Sequence, residues 1–190
     1  MARFFTSDTH FGHQRVIELC ERPFLSVEEM NEVMIDNWNS VVKPDDVVIH
    51  LGDVALGKIA DSLPLVGRLN GYKVLVPGNH DRVFSGEKPK MRERFVPEYL
   101  KVFDKIQKEI VWVSKDDKPY ALASHFPYSG DSHGIDRHVD KRPLDNGLPL
   151  IHGHVHDSWK HNGRQFNVGV DVNDFRPVSE DEILDWIGSL

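Results

Sequence analysis

One cysteine in 190 residues, Cys20, excludes an intramolecular disulfide and a thiolate-built zinc cluster. No apolar run approaches the ~18 residues that a membrane-spanning helix requires. Low-complexity tracts and internal repeats are absent. Positive charge is in deficit: 23 Lys and Arg stand against 30 Asp and Glu, for a net charge of −7. That balance disfavours broad binding to nucleic-acid backbones. It leaves room for a small phosphorylated ligand, because a bound metal would invert the local charge. Met1 to Asp8 read as a strand reaching an acid and lack the long apolar stretch of a secretory leader. The expectation is a cytoplasmic protein with no membrane partner. Hydrophobic residues make up 39% and charged residues 28%, which suits one globular domain spanning residues 1–190.

Strand and helix signals alternate along the chain. Short β-rich apolar runs predict strands at Arg3–Thr6, Val47–Leu51, Lys73–Val76, Ile106–Val113, Tyr120–Ser124, Pro149–Ile151 and Gln165–Val170. Ser26-Val27-Glu28-Glu29 has the form of a capping box, and the helix it opens should run to Val41, before Pro44. Met30, Val33, Met34, Asn37 and Trp38 recur at helical spacing there and read as a core stripe. Ser179-Glu180-Asp181-Glu182 is a second capping box, opening a helix that carries Ile183, Leu184, Trp186 and Ile187. Pro127 to Leu148 is rich in Gly, Asp, His and Pro and has little periodicity, which is long for a simple connection. The pattern predicts an α/β sandwich with mixed sheets.

Polar side chains follow five of these strands. Asp8-Thr9-His10 follows the first and Gly52-Asp53 the second. Pro77-Gly78-Asn79-His80-Asp81 follows the third. Ser124-His125 ends the Tyr120 strand, and His152-Gly153-His154-Val155-His156 ends the Leu150 segment. Ligands of α/β sheets gather beyond the carboxyl ends of strands, so the five segments can share one site. In extended backbone, residues two apart point the same way, so Asp8 with His10 and His154 with His156 should face one pocket. Asp8, His10, Asp53, Asn79, His125, His154 and His156 offer only nitrogen and oxygen donors. They exceed what one four-coordinate zinc takes, and they fit two divalent ions sharing a carboxylate. Manganese is the expected metal, with iron, zinc and nickel as alternatives. Glycines before Asp53, Asn79 and His154 permit tight turns beside the ions.

Together, Asp8-Thr9-His10, Gly52-Asp53, Gly78-Asn79-His80-Asp81, His125 and Gly153-His154-Val155-His156 resemble the signature of calcineurin-like metallophosphoesterases. The resemblance implies a four-layer αββα sandwich of two mixed sheets flanked by helices. It assigns one metal to Asp8, His10 and His156, the other to Asn79, His125 and His154, and a bridging role to Asp53. His80 would lie beside the metals without ligating them. Thr6–His13, Arg22-Pro23-Phe24, Glu29-Met30-Asn31 and Asn37-Trp38-Asn39 resemble a small, cap-less bacterial and phage branch. Two positions depart from the phosphoprotein-phosphatase branch. Leu56 stands where that branch has an aspartate, and Pro77 where it has an arginine, so its phosphate clamp and dyad do not carry over. The double-strand-break nuclease branch has a large extra DNA-binding domain, for which 190 residues leave little room.

The implied reaction is phosphoester hydrolysis, with His80 as general acid for the leaving oxygen or, failing that, as a group that positions substrate. A phosphodiesterase for small substrates such as cyclic nucleotides is the leading expectation. A phosphomonoesterase or nuclease on the same centre is the alternative, and an inactive protein-binding scaffold a minor one. His13 and His50 read as packing residues or partners of ligands, Asp81 as a support for its turn, and His152 has no assigned role. His133, Arg137, His138, Lys141 and Arg142 read as a solvated loop or as contacts to substrate phosphate. Tyr128 offers a ring for stacking on a base.

Overall fold

The computed structural model describes residues 1–190. In chain order the elements are β1 (Arg3–Thr6), α1 (Gln14–Leu19), α2 (Val27–Val41), β2 (Val47–His50), α3 (Ile59–Ser62), β3 (Tyr72–Leu75), α4 (Pro89–Tyr99), β4 (Lys105–Ile106), β5 (Ile110–Lys115), β6 (Lys118–Ser124), β7 (Leu150–His152), β8 (His161–Asn162), β9 (Gln165–Asn167), β10 (Val178–Ser179) and α5 (Glu180–Ile187). They build an α/β fold of two mixed five-stranded sheets flanked by helices, with strand orders β10-β1-β2-β3-β4 and β5-β6-β7-β9-β8. β1 to β4 are mutually parallel and β10 joins β1 antiparallel. In the second sheet β6, β7 and β9 run parallel, and β5 and β8 close its edges antiparallel. No helix is long and apolar enough to cross a membrane.

Strand alternation sorts the apolar residues into two cores. Phe4 joins Val48, Leu75, Met30, Met34, Trp38 and Tyr99, where α2 and α4 cover the outer face of the first sheet. Phe5, its neighbour in sequence, joins Leu51, Val76, Ala121, Ala123, Ile151 and Phe166 between the two sheets. Burying both faces of the first sheet explains why its strands read as near-continuous apolar runs. α5 packs on this second core through Ile183, and its Trp186 ring meets Phe166 with centroids 5.2 Å apart.

Both helix starts follow the capping signal. Ser26 Oγ accepts the Glu29 amide at 3.1 Å and Ser179 Oγ the Glu182 amide at 3.2 Å. The reciprocal arm of the first box is displaced by one residue, since Glu29 Oε2 accepts from Leu25 N rather than Ser26 N.

Three expectations change. The single strand Ile106–Val113 is two strands in different sheets. β4 pairs with Val74 and Leu75, and the chain then crosses to the other sheet to pair as β5 with β6. Gln107-Lys108-Glu109, where it crosses, holds no glycine or proline to announce the break. The strand Gln165–Val170 stops at Asn167, whose side chain donates to the His156 and Trp159 carbonyls and accepts from Gly169 N, turning the chain into a 3-10 turn at Val170–Val172. α1, α3, α4, β8 and β10 were not anticipated; α4 is highly charged and contains Pro97, so its periodicity is weak.

Phe5 has no solvent exposure and sits between the sheets. Phe5→Ala should lower unfolding free energy by about 3–5 kcal/mol, read from the midpoint and slope of urea denaturation.

Candidate metal centre

All five polar segments meet at one edge of the sandwich, because β1, β2 and β3 end together in one sheet and β6 and β7 end together in the other. The backbone there is not extended. Asp8, His10, Asp53, His154 and His156 have φ of 59°, 49°, 55°, 71° and 49°, a left-handed region that non-glycine residues seldom enter. The alternation expected for residues two apart is therefore replaced by successive left-handed turns. Such a conformation costs on the order of 1 kcal/mol per residue or more, and neighbouring segments hold it in place. Asp8 N donates to Gly52 O at 3.0 Å, His10 N to Asp53 O at 3.0 Å, and His154 N to Asp8 Oδ2 at 2.9 Å.

Two glycines let the turns approach. Gly52 has φ of 90°, and a Cβ there would lie 2.9 Å from the Pro77 carbonyl carbon. A Cβ on Gly78 would lie 2.7 Å from His125 Nδ1. Asp81 then locks the two turns together. Its Oδ2 accepts from Asp53 N at 2.9 Å and Gly78 N at 2.8 Å, and its Oδ1 from Val54 N and the Tyr99 hydroxyl, both at 3.2 Å. Burial and the nearby Asp53 charge push the Asp81 carboxyl up to about 7. His50 braces the same region. Its Nδ1 accepts from Gly52 N at 3.1 Å, which places its proton on Nε2, 3.0 Å from Thr9 Oγ1.

The donors fall into two groups. Asp8, His10 and His156 bring their ligand atoms within 4.8 Å of one another, and the His10 and His156 rings lie 5.2 Å apart. His125 Nε2 lies 3.1 Å from Asn79 Oδ1, and the His125 and His154 rings are also 5.2 Å apart. Asp53 sits between the groups, its Oδ2 3.7 Å from His10 Nε2 and 3.4 Å from His125 Nε2. Asp53 Oδ1 accepts the His80 amide at 2.8 Å. The His80 side chain is 47% exposed, with Nε2 3.9 Å from Asp53 Oδ2, beside the nest and open to the cavity.

Electrostatics fit a cation. Burial alone would raise the Asp53 carboxyl, but His125, His10 and His80 around it hold it below the ordinary carboxylate range. Burial pushes His10 well below its usual value, and burial with His125 takes His154 to about 3, so both imidazoles are neutral, the form that ligates. Asp8 Oδ1 and both ring nitrogens of His10 are buried with no hydrogen-bond partner. Buried polar atoms rarely go unpaired; Asp8 Oδ1 and the unprotonated nitrogen of His10 are groups that a divalent ion would satisfy.

Charged side chains from elsewhere support these groups. His156 Nδ1 lies 3.0 Å from Asp171 Oδ2. Arg22, fully buried, pairs with Asp171 at 2.7 Å and 3.0 Å and donates to the Asp8 and Thr9 carbonyls. Asp131 accepts from His154 Nε2 at 3.1 Å and is itself held by Arg137 and Arg142. Sequence reasoning missed the roles of Arg22, Asp131 and Asp171, since a lone charged residue carries no sign of its burial. A cavity of about 290 Å³ opens on the nest, lined among others by His10, His13, Asp53, Asn79, His80, Ser132, His133, Arg137, His154 and His156. Arg142 is not solvated but buried against Asp131. Lys141 and His138 do not line the cavity, and neither does Tyr128, whose hydroxyl donates to Leu148 O near Asn162, Gly163 and Arg164. That placement removes the stacking role considered for Tyr128.

A two-sheet α/β sandwich with such a nest at its strand ends defines a metallophosphoesterase. The chain belongs to the calcineurin-like phosphoesterase family, whose model matches residues 1–167. It is 35% identical to the gene 66 protein of Mycobacterium phage L5, over 98% of this chain and 94% of that one. It is 33% identical to an uncharacterized protein of Methanocaldococcus jannaschii, over 97% of this chain and 90% of that one. The crystal structure of a protein of unknown function from Aquifex aeolicus matches with a TM-score of 0.72 and 30% identity, covering 97% of this chain and 98% of that one. Membership of this family implies divalent metal ions.

Arg22→Ala should destabilise the protein by about 3–5 kcal/mol, because it strips the buried guanidinium from Asp171 and leaves that carboxylate with His156 as its one remaining partner. The double variant Arg22→Ala/Asp171→Ala should lose less than the two single losses summed. Additive losses in a denaturation cycle would show that the pair is not coupled.

Proposed function

We propose that this protein is a metal-dependent phosphodiesterase for small diesters, cyclic nucleotides among them. The observation that carries the reading is the charge inventory of the cavity. Its lining holds one guanidinium, Arg137, and no lysine, and Arg137 is already paired with Asp131 at 2.7 Å. A monoester dianion would bring a second negative charge with no free guanidinium or ammonium to meet it. A diester brings one. The cavity, at about 290 Å³, sits at the small end of ordinary ligand sites, which supports a small substrate.

One divalent ion is assigned to Asp8, His10 and His156, a second to Asn79, His125 and His154, and Asp53 to both. Manganese is the metal proposed first, because mixed imidazole, carboxylate and amide donors suit it. When bound, such a pair acidifies water and neutralises charge on the phosphate. The chain's own residues do the rest. Asp53 holds its Oδ2 toward both groups because the His80 amide occupies Oδ1. His125 donates its Nδ1 proton to Leu51 O at 2.8 Å and so turns Nε2 into the nest. His80, half-exposed at the cavity, donates a proton to the leaving oxygen. Ser132 and His133 also line the cavity.

Removing metal with a chelator should abolish hydrolysis of bis(p-nitrophenyl) phosphate. Two equivalents of Mn²⁺ per chain should restore it, at a rate above that for the matching monoester. Saturation at one equivalent would refute the two-ion assignment, and a monoester preference would make the protein a phosphomonoesterase.

His80→Ala gives a second test. A nitrophenolate leaves as a stable anion, whereas a ribose alkoxide needs a proton in the transition state. Loss of kcat/KM should be about 10²–10⁴-fold on a cyclic nucleotide and far smaller on the nitrophenyl diester. Equal losses at matched metal content would make His80 a positioning group instead.

A further inference from the structure

The stretch from Pro127 to Leu148 contains no strand and a single 3-10 turn at Val139–Lys141. It nonetheless holds a carboxylate, Asp131, whose side chain has no solvent exposure. Acids are almost never fully buried unless they are paired. Asp131 Oδ1 accepts from Arg137 Nε at 3.0 Å and Nη2 at 2.7 Å, with the Ser132 hydroxyl at 3.4 Å. Its Oδ2 accepts from the Arg137 amide at 3.0 Å, Arg142 Nη2 at 3.1 Å and His154 Nε2 at 3.1 Å. Arg142 ties the loop further, donating to Gly130 O at 2.8 Å and Arg137 O at 3.0 Å. The loop is thus folded around one carboxylate, and that carboxylate's single hydrogen-bond partner beyond the loop is His154.

We propose that Asp131 is a positioning residue that fixes which nitrogen His154 offers to metal, and that the 128–142 loop thereby sets the affinity of one of the two ion sites. The proposal rests on the two-ion reading above. A neutral imidazole has one N–H and one lone pair, and an ionised carboxylate only accepts. The proton therefore sits on Nε2 and the lone pair on Nδ1. The carboxylate also raises the basicity of the ligating nitrogen. His156, two residues on, is set the other way: its Nδ1 meets Asp171, so Nε2 is its free nitrogen. The two histidines are governed by separate carboxylates from separate parts of the chain. One site can then be weakened without the other, which a mere loop staple would not achieve.

Calorimetric titration of Mn²⁺ into the metal-stripped chain tests this. The wild type should bind two ions. Asp131→Asn keeps the shape and removes the charge; it should bind one ion about 10–100-fold more weakly and the other as before. Unchanged affinity at both sites, or equal weakening at both, would overturn the proposal while leaving the two-ion reading intact. A wild type that binds fewer than two ions would instead remove that reading. Should Asp131→Asn fail to fold, long-range ¹H–¹⁵N spectra of the metal-free wild type decide: His154 protonated at Nε2 supports the proposal, and protonation at Nδ1 overturns it.

Discussion

Two carboxylates, Asp8 and Asp53, are buried in one nest, their oxygens within 4.8 Å of each other and of a His125 nitrogen. In water this would be a mild repulsion, but in a low-dielectric interior it is severe. Everything around the nest answers that excess of negative charge. Imidazoles of His10, His125 and His80 surround Asp53. Burial raises the Asp8 carboxyl, whereas His156, despite burial, is raised well above its usual value by Asp171, Cys20 and Asp8. The nest therefore draws positive charge, and a divalent ion satisfies in one step what protons satisfy only in part. Beyond it the signs alternate outward from His156 to Asp171 to Arg22, and the neutral His154 meets Asp131, which Arg137 and Arg142 hold in turn.

Charge of this kind needs a rigid frame, and the frame is made of strand ends. Parallel strands leave their carboxyl ends together, so each chain segment enters the nest from a fixed direction. The left-handed turns at Asp8, His10 and Asp53 persist because the Asp8, His10 and Phe11 amides bond to the Gly52, Asp53 and Val54 carbonyls. Asp81 adds the cross-link between the second and third strand ends. The strain is concentrated where the ligand atoms must converge and is sustained by the two cores on either side of the first sheet.

Half of the ten strands were legible because short apolar runs bounded by polar turns have few other readings. β1, β2, β3, β6 and β7 lie within a residue or two of their expected bounds. α2 and α5 were legible through their capping serines and apolar stripes. β4 and β5 were not separable, since what divides them is pairing with different sheets, a long-range fact. The seven expected donors lie together, and Asp8, His10, His154 and His156 do so through left-handed turns where extended backbone was expected.

The sequence by itself determined the chemistry of this protein: nitrogen and oxygen donors after five strands, glycines beside them, no thiolate cluster and no long apolar span. Those features are local, set by residue type and spacing, and need no knowledge of distant contacts. Tertiary structure alone decided how each donor is held. Arg22 reaches Asp171 across 149 positions and His154 reaches Asp131 across 23. Burial and ion pairing depend on what folding brings alongside a residue, and a charged side chain reads the same in sequence whether water or a carboxylate surrounds it.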